Sequence, residues 1–445
     1  MNLVNLELKL LFRNRGFLLQ LAVYLVLSLG AVVIGFNHYN KQLTEIEKQH
    51  QFAAADIAQW QAAGEKATPG GLGYYLHSPA VKTPSPWSIL FKGESQELLT
   101  INRIRLLALQ GQLYNEPINN SEHLRLTWLD LGFVWVYLLP LLIGFITVTR
   151  LAEDKQTGRW QLFSANLSTG SKLLITRIAI SVSVLFILNV MVLLAATAFT
   201  DITLSLDTVW LMTILFCYML FWASVSYLIS KLVKQANLSV LAFVVSWLVL
   251  AIAIPSARFS SQLDVSQSNT GVSLLMTQRQ SINDSWDRDK QADLDTFLAA
   301  YPKWQETSKL GEAFDWKWYY AMQTLSDDAA KPMANDYLTH IENANKAPVF
   351  RALSPVLNVD LLLTRLANTD RQSDLDMKAQ VTDWYNALKD HWYPYLFFNK
   401  AYSPQAIADA PKFSYLANTA KDALQLLWLL LLTACLIALS YKRKS

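Results

Sequence analysis

Six separate runs of this chain are long and apolar enough to cross a bilayer, and no other feature constrains its fold as much. A hydrocarbon layer about 30 Å thick needs roughly 20 apolar residues in a helix. The runs are Phe17–Phe36, Leu129–Thr149, Leu173–Phe199, Val209–Ser230, Leu238–Pro255 and Leu424–Tyr441. One such run alone could be a buried core helix of a soluble protein; six in one chain argue against that. Charge agrees: 16% of residues are charged, against roughly 25% in ordinary soluble domains. Trp128, Trp135, Trp210, Trp247, Trp428 and Tyr441 lie at or near run ends, as interfacial aromatics do. The first run is too long for a signal-peptide core and no small-x-small site follows Phe36, so it is expected to stay as an anchor.

Lysine and arginine set the orientation. With the N-terminus in the cytoplasm, residues 1–16, the link 150–172 with Arg177 just beyond it, Lys231–Asn237 and the tail after Tyr441 hold 13 basic residues. Their only acids are Glu7, Glu153 and Asp154. The two long segments on the other side, 37–128 and 256–423, hold 25 basic and 29 acidic residues. This one-sided pattern places both termini in the cytoplasm. Residues 1–16 allow two readings. Asn2, Asn5, Lys9 and Arg13 form a polar stripe with Leu3, Leu6, Leu10 and Leu11 off it, as in a helix lying in the bilayer interface. The same basic residues also serve as a plain topology signal.

The expected fold is therefore an all-α integral membrane protein with six transmembrane helices and two mainly helical extracytoplasmic insertions. The spans are 17–36, 129–149, 173–199, 209–230, 238–255 and 424–441. The first insertion, 37–128, reads as a helix over Lys41–Ala63, a Gly- and Pro-rich turn region, and a second helix over Glu94–Leu113. The second, 256–423, reads as helical, most clearly over Asp284–Ala300, Trp304–Leu325, Asp336–Lys346 and Leu375–His391. Its many aromatics read as the core of a helical domain.

Few functional groups stand out. The spans are almost free of ionisable residues, whereas proton- and ion-coupled transporters need buried acids or histidines. No Gly-x-x-x-x-Gly-Lys-[Ser/Thr] phosphate cradle occurs; Gly170-Ser171-Lys172 lacks both the first glycine and the final hydroxyl. The six histidines show no His-x-x-x-His spacing, and no Gly-x-Ser-x-Gly is present. Cys217 and Cys435 both lie in apolar runs, so neither a disulfide nor redox chemistry is expected. A net charge of +3 is too small to argue for nucleic acid. No catalytic, cofactor-binding or metal-ligating residues are assigned.

The link after the second run is the informative part. It reads Arg150-Leu-Ala-Glu-Asp-Lys-Gln-Thr-Gly-Arg-Trp-Gln-Leu-Phe-Ser164 and reaches Lys172 before the third run. Charged residues, a glycine break at Gly158 and an apolar edge of Trp160, Leu162 and Phe163 make an element able to dock in a groove of a soluble partner. This stretch resembles the link of ABC type-2 permeases, in which an acid-rich helix, a Gly, a Leu-Leu-Ser-like turn and a basic residue lead into the third span. Glu153, Gly158, Leu162, Ser164 and Lys172 stand at the matching places; Trp160 and Asn166 depart from the pattern. Leu353-Ser-Pro355, Leu366-Ala-Asn-Thr-Asp370, Trp384-Tyr385 and Trp392 resemble a subgroup of these permeases with large periplasmic insertions of unassigned function.

The resemblance implies a non-catalytic permease subunit in the bacterial inner membrane. It implies coupling to a separate ABC ATPase through Glu153, Gly158, Trp160, Leu162, Phe163 and Ser164, with Lys9 and Arg13 on the interfacial helix. ATP and Mg would sit in the ATPase, with no cofactor in this chain. The implied partners are that ATPase, a second permease subunit in a dimer, membrane lipid and a periplasmic partner. Type-2 permeases usually export. The alternative is a mechanical complex, whose periplasmic domain acts on an envelope partner or extracts a lipid or lipoprotein with nothing crossing the membrane.

Overall fold

A computed structural model describes residues 3–64, 67–95, 100–114, 129–158, 167–233, 235–262, 270–311, 313–346, 348–418 and 421–442. Six of its helices are long and apolar enough to cross a membrane, and only one two-stranded sheet occurs among the described residues. The short helix α1 (Leu3–Arg13) leads through Asn14, whose side chain accepts from the amides of Gly16 and Phe17, into α2 (Arg15–Ala63). A side-chain oxygen at that position satisfies amides that have no partner within the helix. α2 contains the first apolar run and continues without a break through the expected Lys41–Ala63 helix. The remaining spans are α5 (Leu131–Gln156), α6 (Leu167–Phe199), α7 (Leu206–Leu232), α8 (236–262) and α16 (Ala423–Lys442).

Between α2 and α5 lie α3 (Pro69–Tyr75), β1 (Ser78–Val81), β2 (Ile101–Ile104) and α4 (Gln110–Leu113). The expected helix over Glu94–Leu113 does not form. β2 instead pairs antiparallel with β1, Ser78 opposite Ile104 and Val81 opposite Ile101. The first long segment is thus only partly helical. Between α8 and α16 lie α9 (Thr270–Asp287), α10 (Lys290–Ala300), α11 (Trp316–Lys346), α12 (Pro348–Leu353), α13 (Pro355–Leu366), α14 (Arg371–Phe397) and α15 (Gln405–Ala408).

The hydrophobic side chains form two cores. One joins the six spans. The other joins both long segments in one unit: Leu72, Ile104 and Leu109 from the first pack with Leu274, Tyr320 and Tyr385 from the second. Trp304, Tyr320, Tyr385, Trp392 and Tyr393 are buried there, whereas Trp286 is half exposed. One helix crosses the expected boundary. α13 lies inside the 256–423 segment, yet Val356, Val359, Leu362, Leu363 and Leu366 pack in the core of the spans. The 256–423 segment is therefore not a unit apart from the membrane bundle.

A polar joint fixes the first long segment and the turn after α13 to the start of α5. Asp130 accepts from the amides of Lys92 (2.8 Å) and Phe133 (2.7 Å) at the start of α5. Thr369 donates to the Phe91 carbonyl (2.9 Å), and the Glu94 amide donates back to the Thr369 carbonyl (3.1 Å). The same strand of chain approaches α2 so closely that a Cβ on Gly35 would lie 1.8 Å from the Ile89 carbonyl oxygen. The Leu366–Asp370 motif is the turn that makes this joint. Asn368 takes a positive φ of 59°, a conformation Asn tolerates better than most residues, and Asp370 caps α14.

Candidate functional site

The end of the bundle formed by α1, the C-terminus of α5, the start of α6 and the α7–α8 link is the site at issue. α5 stops at Gly158, whose φ of +72° continues no helix and suits glycine. In the last turn, successive residues point about 100° apart, so four neighbours reach four different places. Glu153 faces outward and is exposed. Asp154 turns inward and bonds Arg177 of α6. Lys155 donates to the carbonyls of Ser230 (3.1 Å) and Val233 (2.8 Å) at the end of α7. Gln156 donates to Asn237 (3.0 Å) at the start of α8. The root of the link is thereby tied to three other spans.

The N-terminal helix joins the same knot. Glu7 accepts from Arg177 at 3.0 Å and from Arg150 at 3.5 Å, and Arg177 also pairs with Asp154. Two carboxylates and two guanidiniums balance each other. Glu7 is 2% exposed and Asp154 6%. A buried cluster of this kind adds little net stability, because desolvation offsets attraction, but removing one partner is costly. Its physical effect is to hold α1, α5 and α6 in one register. Leu11, fully buried, packs one turn beyond Glu7. Lys9 and Arg13 lie on the exposed side of α1 beside the exposed Val4, Leu6, Leu10 and Phe12.

The structure therefore brings Glu153 and Gly158 together at this end, with Lys9 and Arg13 on the adjoining helix. Trp160, Leu162, Phe163 and Ser164 lie outside the described residues. Sequence reasoning missed Glu7, Arg150, Asp154, Lys155 and Arg177 as a group. The available signal was scarcity: this side carries only three acids, and two of them form the cluster.

Above this end, two spans contain π-helical turns: Val134–Leu138 and Phe145–Thr149 in α5, and Val249–Ala253 in α8. The helix of the fifth apolar run continues past Pro255 to Gln262. Backbone carbonyls freed in a bilayer need other donors, and neighbouring elements supply them. Pro140 has no N–H to give Val136 four residues back, and the Tyr218 hydroxyl donates to that carbonyl at 2.6 Å. Trp247 donates to the Tyr137 carbonyl at 3.1 Å. In α8, Ser354 of the α12–α13 junction donates to the Leu250 carbonyl at 2.6 Å.

One pair on the long-segment side has the spacing of a base and a nucleophile. Lys82 Nζ lies 2.6 Å from Ser373 Oγ, and burial pushes the lysine down to about 8 against the pull of Asp374 and Asp370. Ser373 is fully buried and its hydroxyl also contacts the carbonyls of Asn368 and Asp370. With no route for a substrate to that oxygen, the pair is part of the joint. Among the described residues no cluster of three His, Cys, Asp or Glu side chains is placed to hold a metal ion.

Comparison with known families finds one match, to a domain of unknown function, DUF3526, over residues 273–416. The match runs from α9 past α15 and covers less than half of the chain. No curated protein and no solved structure matches the chain.

Proposed function

We propose that this chain is the membrane-spanning subunit of an ATP-driven complex of the ABC type-2 permease kind, energised by a separate ATPase at the 150–172 link. The observation that carries this reading is the buried cluster of Glu7, Arg150, Asp154 and Arg177 at the root of that link. A force applied to the link would reach α1, α5 and α6 together, while Lys155 and Gln156 pass it to α7 and α8. Glu153 is left exposed at the same place for a partner. Both termini and the link are assigned to the cytoplasmic side of a bacterial inner membrane, on the positive-inside pattern. Two permease subunits would form the membrane part, and export is the expected direction. ATP and Mg would bind the partner, since this chain has no phosphate cradle.

The test is co-purification. A separate ATPase should accompany the chain, and Leu162→Asp or Phe163→Asp should weaken that association or uncouple hydrolysis from output, because either change buries a charge at the contact. Normal assembly and normal output in both variants would place the ATPase elsewhere. A mechanical alternative is favoured by one observation. α13 packs against α5, α7 and α8 and bonds α16, so span movement would reach the long-segment unit directly. Substrate movement in reconstituted vesicles separates the two readings.

A further inference from the structure

The unit built from the two long segments carries a cavity of about 360 Å³ at the start of α10, within the size range of small-molecule sites. Trp318, fully buried, makes its floor. Two basic and two acidic residues edge it, Arg288 and Lys290 with Asp289 and Asp315. Their places are fixed. Arg288 donates to Asp293 (2.9 Å) and to Ser285 (2.6 Å). Lys290 Nζ stands 5.0 Å over the Trp318 ring, and Asp315 accepts from the Lys317 amide at 2.9 Å. The wall at Leu310 is pinned as well, because its amide donates to the Gln291 side chain at 3.2 Å.

Bare aromatic rings flank the cavity. Trp286 meets Trp318 edge-on at 4.9 Å and Phe314 lies 6.4 Å from it, yet each is 49% exposed. From them the rings continue as a band. Tyr319 lies 6.3 Å from Trp286 and 6.0 Å from Phe314. Tyr74 follows at 5.8 Å from Tyr319, and the exposed Tyr75 at 4.7 Å from Tyr74. Rings that serve only as core would be covered, so packing does not account for Trp286, Phe314 and Tyr75. Lipid does not either. Tyr75 stacks on Trp60 at 6.3 Å, and α2 carries Trp60 without a break to roughly 36 Å past Phe36, at about 1.5 Å per residue.

The polar edge selects the ligand. An anion wants a surplus of positive charge and a cation the reverse, and here the two signs are equal in number. A sugar hydroxyl both donates and accepts, so it can use ammonium, guanidinium and carboxylate side by side. The C–H face of a pyranose ring meanwhile lies well against the negative face of an aromatic ring. We propose that the cavity and the band form a carbohydrate-binding site on the long-segment side. One pyranose ring sits at Trp286 and Phe314 against the polar edge, and further rings of the same chain run over Tyr319, Tyr74 and Tyr75. The proposal concerns this unit alone and is independent of any ATPase.

Isothermal titration tests it, with the full-length chain in a detergent that has no sugar headgroup. The probes are cellotetraose and tetra-N-acetylchitotetraose. Saturable binding of at least one is expected, and which of them binds separates a plain from an N-acetylated chain. Trp286→Ala, Phe314→Ala and Tyr75→Ala should each weaken it by roughly tenfold. Because these rings are exposed, the three variants should melt with the parent. Trp286→Tyr, which keeps a ring, should recover most of the affinity. Absence of saturable binding by both probes would overturn the proposal, as would affinity that all three alanine changes leave intact. So would a dimer of this chain that the same changes dissolve while neither sugar binds, which would make a second copy the occupant.

Discussion

At the scale of single residues, Arg177 holds the short-link end together, because it is the partner shared by Glu7 and Asp154. Arg177→Ala should take a guanidinium from two buried carboxylates, leaving Glu7 with Arg150, and lower stability by roughly 3–5 kcal/mol, read as a drop in the melting temperature of the detergent-solubilised protein. The quadruple change Arg150→Met, Arg177→Met, Glu7→Gln, Asp154→Asn removes both signs of charge and should recover most of that loss. A quadruple variant no more stable than the single one would show that charge is not the reason. Asp327 gives a pH prediction on the other side. It accepts from the amides of Leu109 (2.8 Å) and Gln110 (3.0 Å) and from Gln278 (2.7 Å), and burial pushes it from its ordinary 3.8 up to about 6. A folded state that holds a proton the unfolded chain has released loses stability as pH rises between those two values, and stays level above them. The loss is on the order of 3 kcal/mol. Asp327→Asn should flatten the melting temperature between pH 4 and 6; an unchanged slope would assign the dependence to another group.

At the scale of elements, the π-helical turns of α5 and α8 are the distinctive feature, since Val134–Leu138 and Val249–Ala253 each hold a carbonyl bonded by a side chain from another element. Tyr218→Phe removes the donor to the Val136 carbonyl and leaves the ring in place, while Ser354→Ala removes the donor to Leu250. Each should cost about 1–3 kcal/mol, the penalty of an unpaired buried polar group. Tyr75→Phe, at a ring 57% exposed, is the control and should melt unchanged. If all three variants melt alike, the carbonyls find other donors. The apolar runs that make these helices are plain in the sequence. Their π turns are not, because the donors to the Val136 and Leu250 carbonyls come from α7 and the α12–α13 junction.

At the scale of the whole molecule, the two long segments form one unit that is joined to the spans by the Asp130–Thr369 joint and by α13. Orientation is the property most open to test. With the native cysteines removed, Ala299→Cys should react with an impermeant thiol reagent in intact spheroplasts, whereas Glu153→Cys, exposed at the other end, should react only after the membrane is opened. The reverse pattern would refute the assignment of the 150–172 link to the cytoplasm.

What the sequence determined by itself is what local composition can carry. Six apolar runs became six membrane-length helices, because a long apolar helix satisfies its own backbone and needs no partner to be recognised. Glu153 and Gly158 were legible in the same way, as a charged turn followed by a helix stop. Contacts between distant residues belonged to the tertiary structure alone. Ile101–Ile104 forms a strand because Ser78–Val81 lies beside it, and the same stretch read locally as a helix. Glu7 and Asp154 counted as two acids among topology charges until α1 and α6 met around Arg177. α13 fell below the length of a span, so only its packing places it with the membrane core. Pairing, depth and burial depend on which segments meet, and a one-dimensional pattern does not contain that.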